Sequence, residues 1–390
     1  MDALRASDTI YQAPQHFSVR TVLDLHDGKK TLGTNLGLTI WALGLTSRDR
    51  DTPRTWGVYL AAMATAALDR AKRGAAAEPP AVRVSKRSKS QAKFTFADQA
   101  RSYDASSTVT MESDQERVGF YRAALAKVAR GKVVMDIGTG DHGILAQLAL
   151  EAGAKHVYAV EIREGAAKSA RETLDRLHPG KATVFRANVA KLHRREKQLL
   201  DALQEVDIIV HEVFGTIASE EGIVQIFQSV LKSRLPQEGV MSVPQRAETL
   251  LSPVTRPQEL ARGVTNADES LWQGYAEDAR KAQLADPQPA EVIEFEKASV
   301  QQKSQKQRLR FTAKRAGTWD ALHLQLGLSS SGELLRSEGP TTNWEDIYVT
   351  LTQPTKLKKG ESVRMTVESI YAEDACEYVV QIQEPKVRRA

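Results

Sequence analysis

Residues 133–161 read VVMDIGTGDHGILAQLALEAGAKHVYAVE, and this stretch constrains the fold more strongly than the rest of the sequence. An apolar run at 133–137 has the composition of a buried strand, and it breaks into a glycine-containing loop. A helical pattern follows and stops at Gly153, and a second apolar run at 156–160 ends in Glu161. This order predicts a strand, a loop, a helix and a second parallel strand, which is the unit of a Rossmann-like sheet.

The loop of this unit predicts a nucleoside-binding site. Gly138 and Gly140 let a ligand approach the backbone at a helix N-terminus, and Glu161 is placed to accept both hydroxyls of a ribose. Together with Gly143 they fit G-x-G-x-x-G, so a nicotinamide or flavin dinucleotide is one interpretation, and a ligand-free turn is another. Asp136, at the end of the first strand, would repel a pyrophosphate but attract a cofactor with a cationic amino-acid end.

The D-x-G-x-G loop followed by a ribose acid at Glu161 resembles the S-adenosylmethionine site of class I methyltransferases. The resemblance implies that S-adenosylmethionine is the cofactor. It also implies that the turn after a third strand, predicted at 182–185, lies beside the adenine. Asn188 and Val189 occupy that turn and are the candidate adenine contacts.

A second acidic stretch, HEVFGTIASEEG, follows a fourth apolar run at 206–210. Glu212 closes the run, and Glu220 and Glu221 follow a short loop that contains a glycine. Ligands of such sheets bind outside the carboxyl ends of the strands, so these acids should face the same crevice as the glycine loop. Carboxylates gathered in a crevice favour a cationic ligand.

The pattern E-x-F-G, with an acid nine positions after the first glutamate, resembles the double-glutamate loop of protein arginine methyltransferases. Matching residue by residue places the two glutamates at Glu212 and Glu221. The resemblance implies that this pair binds a substrate guanidinium, a planar cation that carboxylates orient through bidentate hydrogen bonds. It further implies methyl transfer from the sulfonium cofactor to a guanidinium nitrogen, helped by positioning and charge stabilisation.

The segment before the first strand has a helical pattern. Ser113 and Glu116 form a capping-box signature, and Asp114, Arg117 and Tyr121 recur at spacings that place them on one helical face. An arginine on this helix could reach the cofactor carboxylate, and a surface salt bridge is the alternative. The family resemblance assigns Arg117 to that carboxylate.

Two further parts of the sequence match the same family. Met111 corresponds to the methionine near the reacting methyl group. The segment GPTTNWEDIYV resembles the threonine-histidine-tryptophan loop, which places Asn343 and Trp344 beside the substrate.

Three parts of the chain are predicted. They are an N-terminal extension with a basic linker (1–93), a Rossmann-like S-adenosylmethionine-binding domain with N-terminal helices (94–245), and a substrate-binding antiparallel β-barrel or sandwich (246–390). Six alternating segments between 292 and 383 predict the strands of the last part.

The predicted partners follow from these parts. An arginine-containing protein is the expected substrate. Residues 257–290 occupy the place of the family's dimerisation arm, with Trp272 and Tyr275 in a helical patch, so a homodimer is one interpretation and a plain surface helix is the other. Nucleic acid is not an expected partner, except through the basic residues of 83–93, and a solvated linker is the other interpretation of that segment.

Composition narrows the class of protein. The 390 residues are 41% hydrophobic and 26% charged with a net charge of +5, as is usual for a globular protein. The single cysteine, Cys376, excludes an internal disulfide framework and favours a reducing compartment. Cysteine and histidine spacing predicts no metal site. The sequence has no apolar run long enough for a membrane helix, and its start lacks a secretory pattern, so a cytoplasmic and possibly nuclear protein is expected.

Three departures from the family pattern keep alternatives open. The loop DIGTGDHG is one residue longer than usual, through Asp141 or His142, the loop histidine is Asn343, and Thr108 stands where a histidine is common. The alternatives are a weak or inactive methyltransferase-like scaffold and a methyltransferase that acts on a small amine.

Overall fold

The computed structural model describes residues 18–21, 81–85, 113–233, 240–257, 271–274, 279–296, 302–337, 342–372 and 375–383. By its internal contacts the chain divides into two units, residues 22–80 and the remainder, and all of the described residues belong to the latter. The predicted site residue Met111 lies outside the described residues, as do Thr108 and Tyr275.

Five parallel strands form one sheet. They are β3 (Val133–Ile137), β4 (His156–Glu161), β5 (Ala182–Arg186), β6 (Ile208–His211) and β7 (Met241–Val243). Their spatial order is β5-β4-β3-β6-β7, so the chain switches direction across the sheet between β3 and β6. Ligands of open parallel sheets bind at such a switch point, outside the carboxyl ends of the strands.

Helices connect these strands. They are α1 (Gln115–Val128), α2 (Ile144–Glu151), α3 (Glu164–Leu177), α4 (Lys197–Glu205) and α5 (Ile223–Ser233). The predicted capping box at Ser113 is wrong by one residue, because the Asp114 carboxylate accepts the Arg117 backbone N–H at 3.0 Å and caps α1. The prediction that Asp114, Arg117 and Tyr121 share a face is correct, since all three are buried.

Two antiparallel sheets form the rest of the described fold. One contains β10 (Gln288–Glu294), β8 (Arg246–Val254), β12 (Gly317–Ser330), β14 (Asp346–Leu357) and β9 (Leu271–Gly274) in that order, with β13 (Glu333–Arg336) beside β12. The other contains β1 (Ser18–Thr21), β2 (Ala81–Ser85), β16 (Ala375–Gln383), β15 (Ser362–Ala372) and β11 (Ser304–Thr312). A short helix, α6 (Ala279–Ala282), precedes β10.

The fold confirms the predicted class, a Rossmann-like sheet followed by antiparallel sheets, and two local predictions are wrong. Trp272 lies in strand β9, which pairs with β14, and not in a helix. Ala81–Ser85, within the predicted linker, is a strand that pairs with β16. In both places pairing with a distant strand overrides the local pattern, and the alternating Val82 and Val84 favour an extended backbone.

Two hydrophobic clusters form the main core, and the loop after β6 reaches both. The larger cluster surrounds the parallel sheet and includes Ala218, whereas the second fills the space between the antiparallel sheets and includes Ile217. Ala218 and Ile217 therefore anchor the loop to the core of the parallel sheet and to the core between the antiparallel sheets, respectively. No helix in the described part of the chain is long and apolar enough to cross a membrane.

Candidate active site

The carboxyl ends of the central strands bring most of the predicted site residues to one edge of the parallel sheet. Asp136 and Gly138 lie at the end of β3, Glu161 ends β4, and Glu212 follows β6. Since β3 pairs with both β4 and β6, these positions are neighbours across the switch point.

Asp136 holds the glycine loop in place through hydrogen bonds. Its buried carboxyl group accepts hydrogen bonds at Oδ2 from Thr139 Oγ1 at 2.5 Å and from the Ala146 N–H at 3.1 Å. Its other oxygen, Oδ1, has no hydrogen-bond partner among the described residues. Burial raises the pKa of Asp136 to about 7. Because Ala146 is in the first turn of α2, this carboxyl group ties the loop to the start of the helix.

Glu161 is held at the opening of the same loop. Its Oε2 accepts the Gly140 N–H at 3.0 Å, and its Oε1 accepts the Arg163 N–H at 2.8 Å. Arg163 also pairs with Asp141 at 2.9 Å, so one of the two candidates for the additional loop residue contacts the arginine that follows Glu161 by two positions. A carboxylate has about four acceptor positions, so these bonds leave acceptor capacity at Glu161 for hydroxyl groups.

Gly138 has a φ of 79°, which favours glycine, and a Cβ there would lie 3.2 Å from Val213 Cγ2.

The predicted adenine contacts lie in the turn after β5. Asn188 accepts the Ala190 N–H at 3.1 Å and begins a short 3-10 turn that contains the buried Val189. The position of this turn after β5, beside β4, is consistent with a cofactor-facing turn, and its contact with adenine stays a prediction.

Arg117 is bound by acidic and aromatic side chains of this chain. Its Nη1 lies 3.5 Å from Glu212 Oε2, and its Nε lies 3.5 Å from Asp114 Oδ2. Its guanidinium carbon lies 3.7 Å from the centre of the Trp344 ring, within cation–π distance. Arg117 is 4% exposed, so the surface salt bridge considered from the sequence is wrong.

Two hydrogen bonds bring these groups together. The Tyr121 hydroxyl donates to the His211 carbonyl at 2.9 Å, which fixes α1 against the end of β6 beside Glu212. The Asn343 N–H donates to Asp114 Oδ2 at 2.7 Å, which holds the loop of Trp344 at the start of α1. Asp114 thus caps the helix, pairs with arginine and anchors the loop, roles that its sequence position alone did not reveal.

Glu212 combines burial with several neighbouring charges. Its side chain is 15% exposed, and Oε1 has no hydrogen-bond partner among the described residues. Burial raises the pKa of Glu212 to about 8, Arg117 opposes the increase, and the negative charges of Glu221 and Asp114 add to it. Glu221 is therefore close enough to influence the protonation of Glu212, and the binding of one ligand by both stays a prediction.

Glu220 has a structural role in the same loop. Its Oε2 accepts the N–H and the hydroxyl of Thr216, each at 2.6 Å. Its side chain packs against Gly215, where a Cβ would lie 2.3 Å from Glu220 Oε2. Glu220 therefore folds back into the loop, where its Oε2 holds Thr216.

We expect Gly215→Ala to displace the Glu220 carboxylate and to break its hydrogen bonds with Thr216. Loss of these buried bonds should cost about 1–3 kcal/mol of the free energy of unfolding, measured by chemical denaturation. Gly165→Ala is the control, because nothing lies within 4 Å of a Cβ at that position. Equal stability of the two variants would contradict this role for Gly215.

The arrangement contains carboxylates and a guanidinium. In the described ranges, no group of three or more histidine, cysteine, aspartate or glutamate side chains could hold a metal ion.

Comparisons of the sequence find methyltransferases. A family model described as ribosomal protein L11 methyltransferase (PrmA) matches residues 122–241. A rice (Oryza sativa subsp. japonica) protein named probable protein arginine N-methyltransferase 6.1 is 32% identical over 199 residues, 48% of each chain. An Arabidopsis thaliana protein named probable histone-arginine methyltransferase 1.3 is 35% identical over 122 residues, 30% of this chain and 21% of its own. This chain matches at most about half the length of these relatives.

Solved structures share the fold. Arabidopsis thaliana protein arginine methyltransferase 10, in an open conformation, aligns with a TM-score of 0.58 and 17% identity over 73% of this chain and 95% of its own. The Trypanosoma brucei PRMT1 enzyme–prozyme heterotetramer with AdoHcy aligns with a TM-score of 0.57 and 19% identity over 71% and 93%. The family model and these sequence relatives are methyltransferases by their descriptions, and the solved structures show that this chain shares the fold of protein arginine methyltransferases.

Proposed function

We propose that this protein transfers a methyl group from S-adenosylmethionine to a guanidinium nitrogen of arginine in protein substrates. The observation that carries the proposal is the binding of the Arg117 guanidinium between Glu212 and Trp344. These side chains hold a planar cation by charge and stacking, and Glu212 keeps an oxygen with no hydrogen-bond partner among the described residues. A substrate guanidinium has the same shape and charge.

The residues at the parallel sheet fit S-adenosylmethionine. Glu161 offers acceptor capacity for the ribose hydroxyls, and the Asp136 carboxyl group, with Oδ1 lacking a partner in the described chain, suits the cationic amino-acid end. Gly138 and Gly140 permit close approach of a ligand to the backbone. Two solved structures with a similar fold are complexes with AdoHcy or SAH. When bound, the cofactor supplies the methyl group as a sulfonium.

The acidic pair performs three tasks in this proposal. Glu212 and Glu221 offset the repulsion between the guanidinium and the cationic donor. Their hydrogen bonds orient one guanidinium nitrogen toward the methyl carbon, so the bond to nitrogen forms as the bond to sulfur breaks. Glu212, with its raised pKa, then accepts the proton that the methylated nitrogen releases.

We expect kcat/KM for the acceptor to rise with pH through an apparent pKa of about 8, because ionised Glu212 binds the cation. The free energy of unfolding should fall as the pH rises, which is the opposite of the change in kcat/KM. The reason is that the folded protein retains the proton on Glu212 at pH values where the unfolded chain has lost it. This contribution is full below the ordinary glutamate pKa and is lost as the pH rises through about 8. Initial rates and chemical denaturation across this range test both. A rate that is flat or falls with pH would contradict the assignment.

The function is tested with labelled S-adenosylmethionine and an arginine- and glycine-rich peptide. We expect label in the peptide and none in a matched peptide with lysine in place of arginine. Label in a small amine but not in the peptide would favour the small-amine alternative. Binding of NAD without binding of S-adenosylhomocysteine would favour the dinucleotide interpretation and contradict the proposal.

A weak or inactive scaffold is the second candidate, favoured by Asn343. This residue stands in the place of the family's histidine, and its backbone N–H bonds to Asp114. The scaffold hypothesis predicts that the protein binds the cofactor but transfers no label to the peptide.

A homodimer through 257–290 and a cytoplasmic or nuclear location remain part of the proposal. Sedimentation of the full chain tests the dimer.

A further inference from the structure

A buried cluster of hydrogen-bonding side chains connects the acidic loop to the interior of the antiparallel sheets. We call Ser219, Thr249, Glu291 and Tyr378 the Glu291 cluster. Ser219 belongs to the loop that ends at Glu221, and the others belong to β8, β10 and β16. All four residues are at most 1% exposed. The proposed chemistry does not use any of them.

One chain of hydrogen bonds runs from the loop backbone to Glu291. The Ala218 N–H donates to Thr249 Oγ1 at 3.1 Å, and the Thr249 hydroxyl donates to Glu291 Oε2 at 2.7 Å. A hydroxyl group has a single proton, so Thr249 receives the Ala218 N–H on a lone pair while its proton goes to an acceptor. Glu291 provides that acceptor and thereby sets the direction of the threonine hydroxyl.

A second chain reaches the same carboxyl oxygen. Ser219 Oγ lies 3.4 Å from the Tyr378 hydroxyl, which donates to Glu291 Oε2. Ser219 also contacts Cys376 Sγ at 3.1 Å. Two consecutive loop residues are therefore connected to one carboxyl group through one intervening hydroxyl each.

Within the loop, the Glu220 carboxylate holds Thr216, whereas the backbone hydrogen bonds next to Glu221 are long. The Glu220 N–H reaches the Ile217 carbonyl at 3.3 Å, and the Gly222 N–H reaches the Ser219 carbonyl at 3.2 Å. These distances lie at the long end of the N–H···O range. The attachment to the antiparallel sheets therefore contributes to the path of the chain just before Glu221.

We propose that Thr249, Glu291 and Tyr378 are positioning residues that fix the backbone before Glu221 and thereby set the affinity for the methyl acceptor. The acceptor part of this inference rests on the proposed function. Since the cluster contacts neither the glycine loop nor Glu161, cofactor affinity should not depend on it.

Thr249→Val removes the hydroxyl and keeps the shape of the side chain. Loss of this buried hydrogen bond should raise the acceptor KM about tenfold, equivalent to about 1.4 kcal/mol, with unchanged affinity for S-adenosylhomocysteine. Thr249→Ser keeps the hydroxyl and should restore the KM. Thr255→Val is the matched control, because Thr255 donates to the Thr318 carbonyl at 2.8 Å, away from the loop. Tyr378→Phe is a second variant, with the same expected direction, if Thr249→Val does not fold.

Amide hydrogen exchange separates this inference from the proposed function. We expect faster exchange in residues 216–222 of Thr249→Val than in the wild-type protein, and this readout needs no activity. If the wild-type protein methylates no arginine, the proposed function fails, and exchange alone decides whether the cluster positions the loop. Unchanged exchange, or equal weakening of acceptor and cofactor binding, would overturn the positioning role.

Discussion

Glu212→Gln is expected to lower kcat/KM for an arginine-containing protein by about a hundredfold to a few thousandfold. Truncating one partner of a buried charge pair costs about 3–5 kcal/mol, and each 1.36 kcal/mol is a factor of ten. The amide keeps the size of the side chain but loses the charge that offsets two approaching cations. Arg117 retains Asp114 and Trp344 as partners, so the variant should fold and bind S-adenosylhomocysteine. Rates with labelled cofactor and the binding affinity test this expectation.

The variant Glu221→Gln should cause a loss of similar size. The double variant should lose little more than either single variant, because the two acids act as a unit. Glu151→Gln is the control, since Glu151 forms an exposed salt bridge with Arg122 and should retain full activity. Retention of more than about a tenth of the wild-type kcat/KM in Glu212→Gln would exceed what loss of a buried charge allows and would contradict its role.

Trp344→Ala should give the largest loss of stability at this site, about 3–5 kcal/mol of the free energy of unfolding. The indole is 6% exposed, belongs to the larger hydrophobic cluster and stacks on Arg117. Its removal leaves a cavity and removes the stacking partner of a buried guanidinium. Chemical denaturation at neutral pH measures the change.

The replacement Trp344→Phe keeps an aromatic face and should be less destabilising than alanine. Leu334→Ala is the control for loss of exposed apolar surface, because Leu334 is 61% exposed, and a change within about 0.5 kcal/mol is expected there. A loss below about 1 kcal/mol in Trp344→Ala would contradict the packing of the ring between the cluster and Arg117.

The parallel half of the fold could be predicted because its signals are local. The β3–α2–β4 unit has apolar runs, a glycine loop and a helix stop in one continuous stretch, and the structure confirms each. The third strand, predicted at 182–185, coincides with β5. Strand β9 and the strand at Ala81–Ser85 were missed, because their pairing partners lie far away in the sequence.

In the site, too, residues at strand ends could be predicted from the local sequence, whereas contacts between distant segments could not. Asp136, Glu161 and Glu212 were predictable because each ends or follows an apolar strand, and strand order brings them together. The contact of Arg117 with Glu212 and Trp344 joins three distant segments, and nothing in their local sequence indicates it. The Glu291 cluster was missed for the same reason.

In the proposed reaction, Glu212 and Glu221 bind a flat cation beside an activated methyl group. A crystal structure with S-adenosylhomocysteine and an arginine-containing peptide tests it most directly. We expect both carboxylates within hydrogen-bonding distance of one substrate guanidinium, with a terminal nitrogen facing the cofactor sulfur and Trp344 nearby. Carboxylates that point away from the sulfur, or a peptide guanidinium bound elsewhere, would contradict the claim.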